Sequence, residues 1–272
     1  MKKIFFAATL TALFTTNAQA DTVGLYLGGQ IWQSEASGVF GEESQLIDFN
    51  LKKEQQVNYF VAIEHPLPLL PNVRISSTTL DTTGNTTFLQ EFSFGDEVFP
   101  DGETVDANFK VSYIDYSVYY ELFDNSGFSF DIGGSVRSFM DDITIAGPPD
   151  FIDECTPIDI PNHCITNGES IEITQKGKID TDELVPMLYL ASQFNIPLTN
   201  VSIFAQGDFS LVSDHSLSDY QVGLSYRLIK SRMGDFNLTL GYRVVRMEFE
   251  DLDNLYTELD FKGVFFGAIA HF

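Results

Sequence analysis

The chain has 272 residues, 44% apolar and 14% aromatic, with 25 Phe and 11 Tyr; the length suits one all-β barrel, and the composition excludes disordered and collagen-like chains. Its formal net charge of −24, from 39 acidic and 15 basic residues, argues against a nucleic-acid binder. Mean hydropathy is near zero and the long apolar run lies at the N-terminus, so a multi-helix membrane protein is excluded.

Residues Met1 to Ala20 read as a cleaved signal peptide: Lys2 and Lys3, a short apolar run from Ile4 to Phe14, then Ala18-Gln19-Ala20 as the small-residue cleavage site. No Cys follows that site, so a lipid anchor is not expected. The remainder, 21–272, reads as one domain and carries a net charge of −26 once the two lysines are lost. From Asp21 onward the apolar pattern has period two, the mark of strands with one apolar face. Ile114, Tyr116, Val118, Tyr120 and Leu122 alternate with Tyr113, Asp115, Ser117, Tyr119 and Glu121, and Phe236 to Val244 repeat the pattern.

Ten strands are predicted, near 22–32, 55–64, 73–80, 108–123, 128–140, 184–194, 201–211, 219–229, 236–248 and 256–272. Their connections fall into two alternating classes. The short ones are 65–72, 124–127, 195–200 and 230–235; the others are 33–54, 81–107, 141–183, 212–218 and 249–255, and include every long one. Short periplasmic turns opposite longer extracellular loops, with an even strand count, predict an all-β, antiparallel transmembrane β-barrel in the outer membrane of a Gram-negative cell. The acidity follows the same division. Segments 33–54, 81–107, 141–183, 212–219 and 250–260 hold 30 of the 39 acids and 4 of the 15 bases. The extracellular loops are therefore expected to form an acidic rim, binding divalent cations weakly and without the ligand spacing of a designed calcium site.

With the apolar face toward lipid, the ionisable residues of the other parity point inward. Glu64, Asp115, Glu121, Asp131 and Asp208 then face Arg74, Arg137, Arg227 and Arg243 across the lumen. Desolvated charges need partners, so a paired network in a plugged or very narrow barrel is expected. Lys110, Arg246 and Lys262 point outward near the loop end, where they would snorkel to the interface or bind lipopolysaccharide phosphates. Phe272 ends an alternating strand through Ala270, Ala268, Phe266 and Val264, and resembles the signal read by the barrel assembly machinery.

Catalytic signals are thin. Asp141-Asp142 and Asp214-His215 imitate the acid pairs and Asp–His couple of ten-stranded outer-membrane proteases, but neighbours on an extended strand diverge. No zinc motif or phosphate-cradling glycine loop occurs, and no cofactor is expected. Cys155 and Cys164, in the longest connection, are expected to form a disulfide in an exported protein; a metal site with His163 is the alternative.

The stretch Asp21-Thr22-Val23-Gly24-Leu25-Tyr26 through Gly28-Gly29, together with Asp131-Ile132-Gly133-Gly134, Pro186-Met187-Leu188-Tyr189-Leu190, Asp219 to Tyr226 and Phe272, carries a family resemblance. It resembles an uncharacterised outer-membrane β-barrel family of marine gammaproteobacteria marked by a Gly-Gly pair near the mature N-terminus. The resemblance implies a barrel in the outer membrane and supplies no active site. The sequence therefore points to a non-enzymatic, monomeric barrel with a structural or surface-interaction role, in contact with outer-membrane lipid and lipopolysaccharide. The alternatives are a small-solute channel and a rim-located hydrolase or protease.

Overall fold

The computed structural model describes residues 23–42, 45–67, 69–140, 142–157, 164–212, 215–231, 234–252 and 255–272, with side chains described for all of these except 142, 149–157, 164–174, 215 and 251–252. The expected signal peptide and the Cys155 and Cys164 side chains lie outside that description.

In chain order the strands are β1 (Gly24–Glu42), β2 (Gln45–Ile47), β3 (Lys53–Glu64), β4 (Asn72–Thr87), β5 (Phe92–Phe94), β6 (Glu97–Phe99), β7 (Thr104–Asp124), β8 (Phe128–Met140), β9 (Asp142–Pro157), β10 (Cys164–Asp180), β11 (Leu184–Asn195), β12 (Val201–Ser210), β13 (His215–Ser231), β14 (Gly234–Leu252) and β15 (Leu255–His271). Ten of them close a ring of antiparallel pairs, β1-β3-β4-β7-β8-β11-β12-β13-β14-β15 and back to β1. The start of β1 and the end of β15 meet at the short-turn end, where Leu25 and Phe272 exchange both backbone hydrogen bonds at 3.0 and 2.9 Å. Closure leaves no strand edge in the ring, which a lipid solvent requires.

All ten expected strands are present, but the long connections are largely strand rather than loop. β1 runs to Glu42 and β4 to Thr87. Within 141–183, β9 pairs antiparallel with β10, and β9 takes over from β8 along β7 at Phe109↔Ile143. The short hairpin β5–β6 lies within 81–107.

The extensions escape an apolar-out reading because their polarity inverts. On β7, Tyr116, Val118, Tyr120 and Leu122 are exposed while Asp115, Ser117 and Tyr119 are buried; higher up, Phe109, Val111 and Tyr113 are buried and Lys110 is exposed. On β14, Leu240 and Tyr242 face out against buried Arg243, but Arg246 faces out against buried Val245 and Met247. The lower outward band spans about nine residues per strand, the length a tilted transmembrane strand needs. Above it the sheet leaves the lipid and behaves as a water-soluble one, apolar side in. An arginine at Leu240 is thus expected to cost about 2–4 kcal/mol in lipid-vesicle unfolding, while Ser37→Arg, on the outward face above the band opposite Asp260, changes stability little. Equal effects at the two sites would place the boundary elsewhere.

One glycine position is set by packing across this wall. Gly28 faces inward opposite Phe60 on β3. A Cβ there would run into the Phe60 ring, so the missing side chain makes room for that ring inside the barrel.

Candidate functional site

The interior is layered along the barrel axis. At the short-turn end is a cavity of about 350 Å³. Its walls carry Tyr26, Phe60, Tyr119, Tyr189 and Phe204, and its lining includes Glu64, Glu121, Asp124 and Asp131. Alternation places most of these groups on the inward face of their strands, while the apolar neighbours face lipid; Asp124 follows the β7 irregularity between Glu121 and Phe123.

Above the cavity lies a belt of buried charge. Arg137, fully buried on β8, donates from Nε and Nη2 to the two Asp115 carboxylate oxygens at 2.7 and 3.0 Å. Its Nη2 also reaches Asp219 Oδ2 at 2.9 Å. Arg243 on β14 grips the same Asp219 through Nε at 2.9 Å and Nη2 at 2.7 Å. Tyr113 donates its hydroxyl to Asp219 at 2.8 Å, and its ring lies under the Arg137 guanidinium at 3.7 Å. Two-pronged arginine–carboxylate contacts are directional as well as strong, so four strands of the ring, β7, β8, β13 and β14, are tied across the lumen.

Above the belt the interior is mostly apolar. Trp32, Phe109, Phe139, Phe261, Val245 and Met247 are buried there. Phe40 and Phe49 stack at 4.4 Å between ring centroids, and Phe88 meets Phe92 at 4.7 Å. Phe92, Phe94 and Phe99 come from the β5–β6 hairpin, which touches β1 and β10 and is tied down by the Gly95 N–H donating to Glu42 at 2.7 Å. That hairpin lies over the upper end of the barrel.

The sequence-predicted inward charges therefore separate into two places. Asp115, Arg137 and Arg243 meet in the belt, and Asp208 beside them accepts the Ser135 hydroxyl at 2.7 Å. Glu64, Glu121, Asp131, Arg74 and Arg227 line the lower cavity instead. Arg227 pairs there with Asp235 at 3.6 Å, and Glu64 accepts the Tyr119 hydroxyl at 2.9 Å. Asp219, the hub of the belt, is absent from the expected inward charges because it closes the acidic segment 212–219. Its parity with Gln221, Ser225 and Arg227 was the available signal.

On the outer surface, Arg246 chelates Asp260 at 2.8 and 3.3 Å, and Lys262 lies 3.9 Å from the same carboxylate. Lys110 is exposed on β7 opposite Asp81. Phe272 lies at the short-turn end beside Leu25. The side chains of the Asp141-Asp142 and Asp214-His215 pairs, and His163, lie outside the described residues.

No protein-family model and no curated protein matches this chain. Solved structures do. Ail, the attachment invasion locus protein of Yersinia pestis solved with the heparin analogue sucrose octasulfate, is 12% identical with a TM-score of 0.34, over 92% of this chain and 99% of that one. The outer membrane protease OmpT from Escherichia coli is 6% identical with a TM-score of 0.41, over 95% and 98%. The translocator domain of the autotransporter NalP from Neisseria meningitidis is 10% identical with a TM-score of 0.32, over 99% and 94%. These values carry no activity across. The closed antiparallel ring with its exposed apolar band, short turns at one end and long extensions at the other is in itself the architecture of a bacterial outer-membrane β-barrel.

Proposed function

We propose that this protein is a non-enzymatic outer-membrane barrel with a closed lumen, holding its β extension above the membrane in an envelope-structural or surface-interaction role. The filled interior carries the reading: the lower cavity ends beneath the Arg137–Asp115–Asp219–Arg243 belt, and buried aromatic side chains occupy the space above it. Solute passage would have to break paired buried charges and displace that packing together. Refolded full-length protein in planar bilayers is therefore expected to show no conductance steps at moderate voltage. Reproducible steps abolished by boiling the sample would replace this reading with a small-solute channel.

The outward row just above the lipid band supports a role at the lipopolysaccharide layer. Arg246 and Lys262 share one carboxylate, Asp260, and Lys110 sits at the same kind of position on β7. Such cations suit phosphate groups, and divalent cations bridging phosphates to neighbouring carboxylates would add to the contact.

A further inference from the structure

The cavity at the short-turn end has no part in the closed-barrel role, and its chemistry is divided. Arg74, on β4, is only 8% exposed and lines both this cavity and the small void that reaches the charge belt. Its guanidinium rests 3.5 Å from the centre of the Phe60 ring. Among the described residues it makes no ion pair and no hydrogen bond, and its buried Nε has no partner. Arg137 and Arg243, by contrast, each bind a carboxylate with two nitrogens. A buried guanidinium without a partner is costly, and one aimed into a cavity points to an anionic group on whatever enters.

The rest of the cavity has the opposite sign. Glu121 accepts the Asn72 amide at 3.2 Å, on the ladder where Asn72 faces Tyr119, the hydroxyl partner of Glu64. Asp131 faces Glu121 across β7–β8, and its buried Oδ1 has no partner. The other arginine of the cavity, Arg227, is already paired with Asp235. Glu64, Glu121 and Asp131 thus gather several carboxylates on one side of the cavity, a setting that suits an organic ammonium group. The aromatic walls suit the same group, because an ammonium is attracted to ring faces.

We infer that this cavity binds a small zwitterion, with its carboxylate on Arg74 and its ammonium among Glu64, Glu121 and Asp131. An anion alone would meet the carboxylates uncompensated, and a cation alone would leave Arg74 buried with only the Phe60 ring face against it and no anionic partner. The volume of about 350 Å³ is at the small end of ligand sites and fits a linear amino acid. The charge belt above confines entry to the short-turn end.

Three water-soluble probes of the same chain length separate the cases: 6-aminohexanoate, 1,6-diaminohexane and adipate, titrated calorimetrically into the full-length protein refolded in an uncharged maltoside detergent. Saturable binding of 6-aminohexanoate, tighter than either symmetrical probe, is expected. Arg74→Gln and Glu121→Gln should each weaken it about tenfold or more, the loss of one charge-assisted contact, with the heat-shifted gel mobility of the folded barrel retained. Glu121 lies at the exposed mouth, so its variant tests the proposal even where Arg74→Gln fails to fold. Diamine binding as tight as that of the zwitterion, zwitterion binding indifferent to the variants, or no saturable binding of any probe would overturn the inference. None of these results bears on conductance, so failure here leaves the closed-lumen reading standing on its own test.

Discussion

Asp219→Ala is expected to lower the stability of the barrel by about 3–5 kcal/mol, the cost of removing one partner from a buried ion pair. Asp219 is the carboxylate between two buried arginines, accepting from Arg137, from Arg243 twice and from the Tyr113 hydroxyl. Its loss leaves both buried guanidinium groups close together, with Asp115 to balance only one of them. Asp208→Ala provides the contrast. Asp208 is as deeply buried but is held by the Ser135 hydroxyl rather than by an arginine, so its removal should cost distinctly less. Urea unfolding of the protein in lipid vesicles, followed by the gel shift between folded and unfolded chains, measures both. Equal losses at the two positions would mean that the belt is not held by its ion pairs.

The second large effect lies above the membrane. Phe92 is 1% exposed, packs against Phe88 with ring centroids 4.7 Å apart, and belongs to a hairpin paired over only three residues on each side. Truncating a buried Phe to Ala costs about 3–5 kcal/mol. The hairpin pairs over only three residues on each side and relies on buried Phe side chains for its anchorage, so Phe92→Ala is expected to loosen it locally while the ring stays closed. A soluble protease added to intact vesicles should then cut within 88–102 about a hundredfold faster than in the wild type, the lower bound such a local loss implies. The gel shift of the barrel should be unchanged. Conductance should remain absent, because Trp32, Phe109, Phe139 and Phe261 and the ion pairs beneath still fill the interior. Loss of the gel shift together with the loop would show that cap and barrel unfold as one unit.

The sequence by itself determined the barrel. Period-two alternation through stretches such as Tyr113–Leu122 and Phe236–Val244 is enough to place the ten ring strands, because lipid outside a closed sheet leaves the apolar face only one direction to point. Short connections such as 124–127 fixed which end carried the turns, and parity fixed which charges faced inward. Alternation does not carry the level at which lipid gives way to water, and so the upper third escaped it. Above Tyr113 on β7 and Arg243 on β14 the same alternation continues with its meaning reversed, so Phe109, Val245 and Met247 are core although they share parity with the polar lumen below. Only closure of the ring shows that reversal, since it sets how high each tilted strand stands when its neighbours are in register. Partner choice among the inward charges is likewise tertiary. Arg74 and Arg137 have the same strand parity, yet the stagger of the sheet puts Arg137 beside Asp115 and Asp219, and leaves Arg74 over Phe60 at the head of the lower cavity.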